Sequence, residues 1–373
     1  MNKFVINTKM VGIEDFGSVH ENLGPMIDLT IGEPSFKTHQ LIKDASIRAL
    51  DENITKYPPS LGFEEVREAI SKFEKQHSNI DYKSDEVLVV NGGTEGLAAA
   101  LAVLLNEGDE VIVPTPAYAA YESLIEMNRG KYVAVDTSDS DFVLTGEKLA
   151  AAITEKSKIV MLTSPNNPTG TIYSSAELKE IVDVLIDKEI YVVMDATYGH
   201  LVFDQAHDMS ELERIRERVV FVYSLSKTYA MTGWRLGYVI ADKPLIKYLN
   251  QWHHCTVTGV SSFSQFAILE ALKLDVSDVV SSYRERVNYV VSELKDMGFE
   301  VVAPQGAFYV FPSLKGFNMD SKAFVDLCAR NGLKVISGHF FGSSNHFRIS
   351  CCYSMETIVE GMNCLRSIVS TLK

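Results

Sequence analysis

A lysine close to hydroxyl side chains and an arginine is the part of the sequence that most clearly suggests chemistry. The stretch YSLSKTYAMTGWRLGY runs from Tyr223 to Tyr238, and Lys227 follows shortly after a β-rich run that ends at Ser224. Open α/β sheets bind ligands beyond the carboxyl ends of their strands. Hydroxyl groups and the guanidinium of Arg235 suit a phosphate, and a lysine beside a phosphate suggests a Schiff base with a phosphorylated aldehyde cofactor. An ordinary solvated lysine is the alternative.

A second candidate phosphate site is the sequence Gly92-Gly93-Thr94, which follows a strand-like run and opens a helix at about Glu95. Glycines let the backbone approach an anion, and a helix N-terminus presents free N–H groups at the positive end of its dipole. Taken alone, this motif is explained more simply by an ordinary turn between a strand and a helix.

Two charged residues stand in otherwise apolar strand patterns. Asp195 ends the run IYVVMD, and Arg348 lies within FRIS. A charged group at a buried position needs a partner. Asp195 could cap a helix or form a salt bridge, and Arg348 could form a structural ion pair; both could instead bind a ligand.

The elements that must position these residues follow an alternating pattern of short β-rich runs and amphipathic helices. Most runs are nearly continuous in Val, Ile, Leu and Met, which is typical of strands buried on both faces. The predicted strands are Glu86–Val90, Glu110–Val113, Lys131–Val135, Lys158–Thr163, Ile190–Asp195, Val219–Ser224 and Leu236–Ala241. Strands separated by helices predict an α/β fold with a mostly parallel seven-stranded sheet flanked by helices.

The pattern changes after about residue 274, where a long helix is followed by short strands and two further helices. Short strands are predicted at Glu300–Val302 and Phe308–Phe311, and another ends at His346–Ser350. This region predicts a smaller α+β domain. The expected organisation is an N-terminal arm and small-domain segment at 1–40, a large cofactor-binding domain at 41–274 and a small C-terminal domain at 275–373.

Composition excludes several classes of function. The 373 residues include 35 Lys and Arg against 49 Asp and Glu, so the formal net charge of -14 gives no positive field for nucleic acid or an anionic membrane. The cysteines are odd in number and lack the spacing of a zinc site, which favours a reducing compartment. Neither a signal peptide nor a membrane-spanning apolar run is recognisable. We therefore expect a cytoplasmic protein without a metal.

Eight motifs in order resemble the fold-type I pyridoxal-phosphate aminotransferases of class I/II, the group that includes aspartate aminotransferase. The resemblance covers nearly the whole chain. The motifs are LTIGEP at Leu29–Pro34, YPPSLGFEEVREAI at Tyr57–Ile70, NGGTEGL at Asn91–Leu97, SPNNPTG at Ser164–Gly170, Asp195 with Tyr198, SLSKTYAMTGWRLGY ending at Tyr238, APQGAFYVF at Ala303–Phe311 and FRIS at Phe347–Ser350.

The resemblance implies pyridoxal 5'-phosphate as cofactor and assigns a role to each matching residue. Gly93, Thr94, Ser224 and Arg235 would bind its phosphate, and Tyr57 would reach the phosphate of the neighbouring subunit in a homodimer.

Other matching residues would surround the cofactor ring. Lys227 would form the Schiff base, Asp195 would pair with the pyridinium nitrogen, and Tyr198 and Asn167 would bind the 3-oxygen. Tyr118 would stack on the ring, although a core aromatic is the alternative. Lys227, Asp195 and Tyr198 are thus the candidate catalytic residues.

The substrate would be bound by Arg348, as a bidentate clamp on its α-carboxylate, together with Gly32 and Asn167. The expected reaction moves an amino group between an amino acid and a 2-oxo acid. A carbon–sulfur β-lyase on the same fold is the alternative, because the cofactor motifs do not separate the two. A nicotinamide dehydrogenase fits less well, since Gly92-Gly93 lacks the G-x-G-x-x-G spacing.

Overall fold

A computed structural model of the chain describes residues 26–204 and 207–372. Residues 1–25 of the predicted N-terminal segment therefore lie outside the described residues. The strands are β1 Ile27–Asp28, β2 Val87–Val90, β3 Glu110–Thr115, β4 Lys131–Asp136, β5 Ser157–Thr163, β6 Tyr191–Asp195, β7 Val219–Ser224, β8 Gly237–Ala241, β9 Tyr309–Val310, β10 Leu333–Lys334, β11 Ile336–Ser337 and β12 Phe347–Ser350.

The α-helices alternate with these strands through most of the chain. They are α1 Gln40–Asp51, α2 Glu64–His77, α3 Gly93–Leu104, α4 Ala120–Met127, α5 Gly146–Ala152, α6 Ser175–Leu185, α7 Lys243–Val257, α8 Ser262–Ala271, α9 Ser277–Met297, α10 Ser321–Arg330 and α11 Met355–Ser370. None of the helices within 26–204 and 207–372 is long and apolar enough to cross a membrane.

The large sheet has seven strands in the order β2-β8-β7-β6-β5-β3-β4, with helices on both sides. Among the described strands of this sheet only β8 runs against its neighbours, so the predicted mostly parallel seven-stranded sheet is confirmed. Neighbouring residues of one strand enter different apolar clusters: Val193 of β6 packs on one face and Met194 on the other. Burial of both faces explains why these strands read as continuous apolar runs. The edge strand β4 pairs with β3 and keeps exposed residues.

The C-terminal part contains a three-stranded antiparallel sheet, β11-β12-β9, and the described N-terminal residues join it through the parallel pair β1-β10. Leu29 packs in the same apolar cluster as Tyr283 of α9 and Phe347 of β12. The predicted strand Glu300–Val302 is wrong, because Glu300 makes only an isolated bridge to Ser313. Its apolar pattern arises because Val301 and Val302 pack against two different clusters. The proposed domain boundaries stay a prediction.

The topology brings several candidate side chains to one edge of the large sheet. Thr163, Asp195 and Ser224 end the neighbouring parallel strands β5, β6 and β7, and Thr163 is in register with Asp195. Helix α3 begins directly after β2, so its N-terminus points to the same edge. The site described next lies here, as expected for an open α/β sheet.

Candidate active site

A cavity of about 330 Å³ opens at this edge of the sheet. Every predicted site residue except Tyr57 lines it, although the separate roles given to these residues stay predictions. The predicted residues that line the cavity are Gly32, Gly93, Thr94, Tyr118, Asn167, Asp195, Tyr198, Ser224, Lys227, Arg235 and Arg348. Segments far apart in the sequence are thus brought together around one cavity.

Lys227 lies on the cavity wall in the loop that follows β7, and its side chain is partly buried. Its Nζ donates a hydrogen bond to the carbonyl oxygen of Gly32, at 2.7 Å. Removal of water by burial lowers the pKa of the Lys227 amine to about 8, against a weaker opposing effect of Glu33 and Cys352. With this pKa about a tenth of the amine is unprotonated at pH 7 and about half at pH 8, and the unprotonated form can act as a nucleophile or a base.

The N-terminus of α3 forms an open cradle. Gly92 precedes the helix with a φ of +81°, and a Cβ placed on it would lie 2.7 Å from Nη2 of Arg235. A Cβ on Gly93 would lie 3.1 Å from Oγ1 of Thr197 and 3.4 Å from Cβ of Ser224. The first N–H groups of a helix have no partner within the helix. These N–H groups lie next to the hydroxyl of Thr197 and the guanidinium of Arg235. Such a group of donors is what an anion site requires.

Asp195 is a buried carboxylate at the end of β6. Oη of Tyr121 donates to its Oδ2 at 2.6 Å, and the backbone N–H of Thr197 donates to its Oδ1 at 2.9 Å. Burial raises the pKa of the Asp195 carboxyl, and the two hydrogen bonds oppose that rise. Among the described residues no cation pairs with it, so the salt bridge considered from the sequence is not formed there. A carboxylate buried in this way suits a cationic ligand group.

Arg348 lies in β12, with its side chain buried. Its Nη1 donates to Oδ1 of Asn167 at 2.9 Å, and its Nη2 donates to the carbonyl oxygen of Thr30 at 2.7 Å. The rings of Tyr309 and Phe341 lie over the guanidinium, with their centroids 4.4 Å and 4.9 Å from Cζ. Its Nε finds no hydrogen-bond partner among the residues that the structure describes. Within the described part of the chain its partners are neutral, so the guanidinium keeps its charge available for an anion.

Three tyrosines, Tyr198, Tyr309 and Tyr118, form further parts of the cavity wall. Oη of Tyr198 lies 2.8 Å from Oη of Tyr309, and burial raises the pKa of both phenols. Tyr118 lines the cavity with about 38% of its surface exposed. Its ring makes an edge contact with Tyr121, at 5.5 Å between centroids.

Tyr57 stands apart from the other predicted residues. Its side chain is 90% exposed, and it does not line the cavity of its own chain. This position is compatible with a contact to a second subunit, which stays a prediction.

Sequence reasoning missed several residues of the cavity. Tyr121 follows Tyr118 by one helical turn in the segment PTPAYAAY, which is a signal that both could face one site. Tyr309 lies within the motif APQGAFYVF, for which the family resemblance implies no residue role. Thr30 and Phe341 offered no signal, because Thr30 contributes a backbone carbonyl and Phe341 reaches the site through the fold of the small sheet.

Known proteins identify the class of protein to which this fold and site belong. Residues 24–365 match the model of the family described as aminotransferase class I and II. A probable N-acetyl-LL-diaminopimelate aminotransferase of Bacillus subtilis is 36% identical over 365 residues, which are 96% of this chain and 93% of the relative. An aspartate aminotransferase of Pyrococcus horikoshii is 36% identical over 348 residues, covering 91% and 89%.

Solved structures agree with these sequences. The aspartate aminotransferase from Thermus thermophilus with maleate has a TM-score of 0.93 at 29% identity, covering 99% of both chains. The enzyme from Rhizobium meliloti has a TM-score of 0.95 at 29% identity, covering 99% of this chain and 98% of that one. The chain belongs to the class I and II aminotransferases. It is accordingly an enzyme, a transferase of amino groups.

Proposed function

We propose that the protein is a pyridoxal-phosphate-dependent aminotransferase in which Lys227 binds the cofactor and exchanges protons with the substrate. The observation that carries this proposal is the position of Lys227. Its amine, with a pKa lowered to about 8, shares one cavity with a buried carboxylate, Asp195, and two cationic groups, Arg235 and Arg348.

The described residues fit the cofactor at both of its charged ends. At one end, the backbone at Gly92 and Gly93 leaves a space beside Arg235 that any side chain would fill, and this space suits a phosphate. At the other end, Asp195 is a buried carboxylate that no cation of the described residues pairs with, and it suits a protonated ring nitrogen. When bound, the cofactor would take the Lys227 amine into a Schiff base and would withdraw the electrons released at the substrate α-carbon.

Residues of this chain would transfer the proton and orient the cofactor ring. Nζ of Lys227 would accept the proton of the substrate α-carbon and deliver it to the former aldehyde carbon of the cofactor, and it would move a proton in the opposite direction in the second half-reaction. Asp195 would keep the ring nitrogen protonated, and Tyr198 with Asn167 would donate hydrogen bonds to the ring oxygen. The hydrogen bonds from Tyr198 and Asn167 and the ion pair of Asp195 with the ring nitrogen would hold the reacting atoms in one orientation.

Arg348 would bind the α-carboxylate of the amino acid and of the oxo acid. Its buried guanidinium has neutral partners, and the two rings that cover it hold its plane. A planar guanidinium binds a carboxylate through two parallel hydrogen bonds, which fixes orientation as well as affinity.

We also infer a homodimer, because Tyr57 is 90% exposed and lies outside the cavity of its own chain. In a dimer it would complete the phosphate site of the neighbouring subunit. The variants Tyr57→Ala and Lys227→Ala can be mixed after each has been purified. A mixed dimer has one site with both defects and one intact site, so mixing should restore activity that each variant lacks; no recovery in confirmed mixed dimers would contradict the shared site.

The proposed reaction can be tested with a panel of amino acids and the visible absorption of the protein loaded with pyridoxal 5'-phosphate. A donor should change the absorption in a single turnover, and a 2-oxo acid should restore it. The same assay without oxo acid distinguishes transamination from the alternative reaction. Catalytic release of pyruvate and ammonia from cystathionine would then indicate a carbon–sulfur β-lyase. Absence of any spectral change with all donors and acceptors would refute the aminotransferase proposal.

A further inference from the structure

Tyr309 of β9 lies between two residues of the proposed machinery and is itself buried. Its Oη is 2.8 Å from Oη of Tyr198, and its ring centroid is 4.4 Å from Cζ of Arg348. The hydroxyl and the ring of one side chain therefore contact two different parts of the site. These two contacts can be separated chemically, because phenylalanine keeps the ring and lacks the hydroxyl.

The hydroxyl of Tyr309 occupies the space in which a side chain at position 32 would stand, and that residue is Gly32. A Cβ placed on Gly32 would lie 2.1 Å from Oη of Tyr309 and 3.2 Å from its Cζ. No side chain at position 32 is compatible with that hydroxyl where it stands. The carbonyl of Gly32 also accepts the hydrogen bond from Lys227. The absence of a side chain at Gly32 thus gives the Tyr309 hydroxyl its place close to the reactive lysine.

The direction of the hydrogen bond between the two tyrosines follows from counting protons. Burial raises the pKa of both phenols, so each oxygen carries one proton near neutral pH. In the proposed function Tyr198 donates its proton to the oxygen of the cofactor ring. Its oxygen can then only accept from Tyr309, since a phenol has a single proton.

We propose that Tyr309 is a positioning residue whose hydroxyl donates to Tyr198 and so strengthens the hydrogen bond from Tyr198 to the cofactor, while its ring supports the guanidinium of Arg348. Hydrogen bonds in a buried chain polarise one another, which strengthens the terminal donation. This inference rests on the proposed function, because it requires the cofactor to be bound next to Tyr198.

The test is a pH titration of the visible absorption of the cofactor-loaded protein. A hydrogen bond to the ring oxygen stabilises its anionic form, so a weaker bond moves the spectral transition to higher pH. Tyr198→Phe removes the bond and should raise the transition by about 1 to 2 pH units. Tyr309→Phe removes only the polarising donor and should raise the transition by about 0.1 to 0.6 unit, corresponding to roughly 10–30% of the effect of that bond.

The apolar cluster that contains Tyr198 and Tyr309 also provides a matched control. Tyr283 is buried there, and its hydroxyl has no hydrogen-bond partner among the described residues. Tyr283→Phe should therefore leave the spectral transition unchanged. Because Tyr309→Phe keeps the ring over Arg348, the KM for the amino acid should remain within about twofold of wild type, as expected for a substitution that leaves the contact in place.

The double variant Tyr198→Phe with Tyr309→Phe shows whether one tyrosine acts through the other. Coupled residues are not additive, so the second substitution should add no shift when Tyr198 has already lost its hydroxyl. The inference would be overturned if the spectral transition of Tyr309→Phe lay at the wild-type pH. It would also be overturned if Tyr309→Phe shifted the transition equally with and without the Tyr198 hydroxyl. The proposed function would survive that result if the protein still transaminates, whereas failure to load the cofactor at all would overturn both.

Discussion

Substitution of Arg348 by lysine is the most informative change at the proposed substrate site. The guanidinium presents two Nη groups, which in the structure donate to Asn167 and to the carbonyl of Thr30, and it lies under Tyr309 and Phe341. Lysine keeps the positive charge but offers a compact ammonium in place of the planar pair of donors. The substitution therefore removes the two-point contact with a carboxylate without removing the charge.

The magnitude follows from the loss of one of two charged hydrogen bonds. Such a bond contributes about 1.5–3 kcal/mol, and about 1.4 kcal/mol corresponds to a factor of ten in affinity. We expect Arg348→Lys to raise the KM for the amino acid and for the oxo acid by about 10- to 150-fold. Arg348→Ala should weaken binding further, but it also leaves Asn167 without its partner and opens a void, so lysine is the cleaner change.

The assay is the single-turnover change in absorption at increasing concentrations of amino acid, followed by the same titration with oxo acid. Arg284→Lys is the matched control, because Arg284 lies on α9, pairs with the exposed Asp204 at 2.6 Å and does not line the cavity. The control should bind substrates like the wild type. Equal apparent affinities for Arg348→Lys and the control would refute the assignment of Arg348 as the carboxylate clamp.

Three further predictions concern the charged groups of the site. Asp195→Asn should lower kcat by about 10²–10⁴-fold, because leaving the protonated ring nitrogen without its partner costs about 3–5 kcal/mol. A kcat near the wild-type value would contradict the ion pair with the cofactor. Without cofactor the same variant should unfold at an unchanged or higher temperature, since burial opposes the charge of Asp195 and raises its pKa. The rate at which the cofactor-free protein attaches pyridoxal 5'-phosphate should rise with pH and level off above about 8, because the unprotonated Lys227 amine is the nucleophile and its pKa is lowered to about 8. A rate still rising steeply near about pH 10 would indicate an ordinary exposed lysine.

The large sheet was predictable because burial on both faces leaves a direct mark on the sequence. Val219–Ser224 was predicted with both ends correct, and the other strands of the sheet differ by a few residues at most. The short pair Ile27–Asp28 and Leu333–Lys334 was not predicted, since two residues carry no periodicity. Glu300–Val302 shows the converse, an apolar run that packs without forming a ladder.

The site was predictable where a motif stood at the end of a strand, as for Asp195 and Ser224. Its contacts were not. The hydrogen bond between Tyr198 and Tyr309 joins residues 111 positions apart, and the one between Arg348 and Thr30 joins residues 318 positions apart. Pairings of this kind depend on how the small sheet packs against the large one, and no local pattern records that packing.

The central claim is that Lys227 is the residue that binds pyridoxal 5'-phosphate covalently. Borohydride reduction of the loaded protein, proteolysis and mass spectrometry locate the modified side chain directly. We predict that the mass of the reduced cofactor is attached to Lys227, and that Lys227→Ala retains some cofactor through its phosphate but carries no such label and has no turnover. A label on a different lysine, or full activity of Lys227→Ala, would contradict the claim.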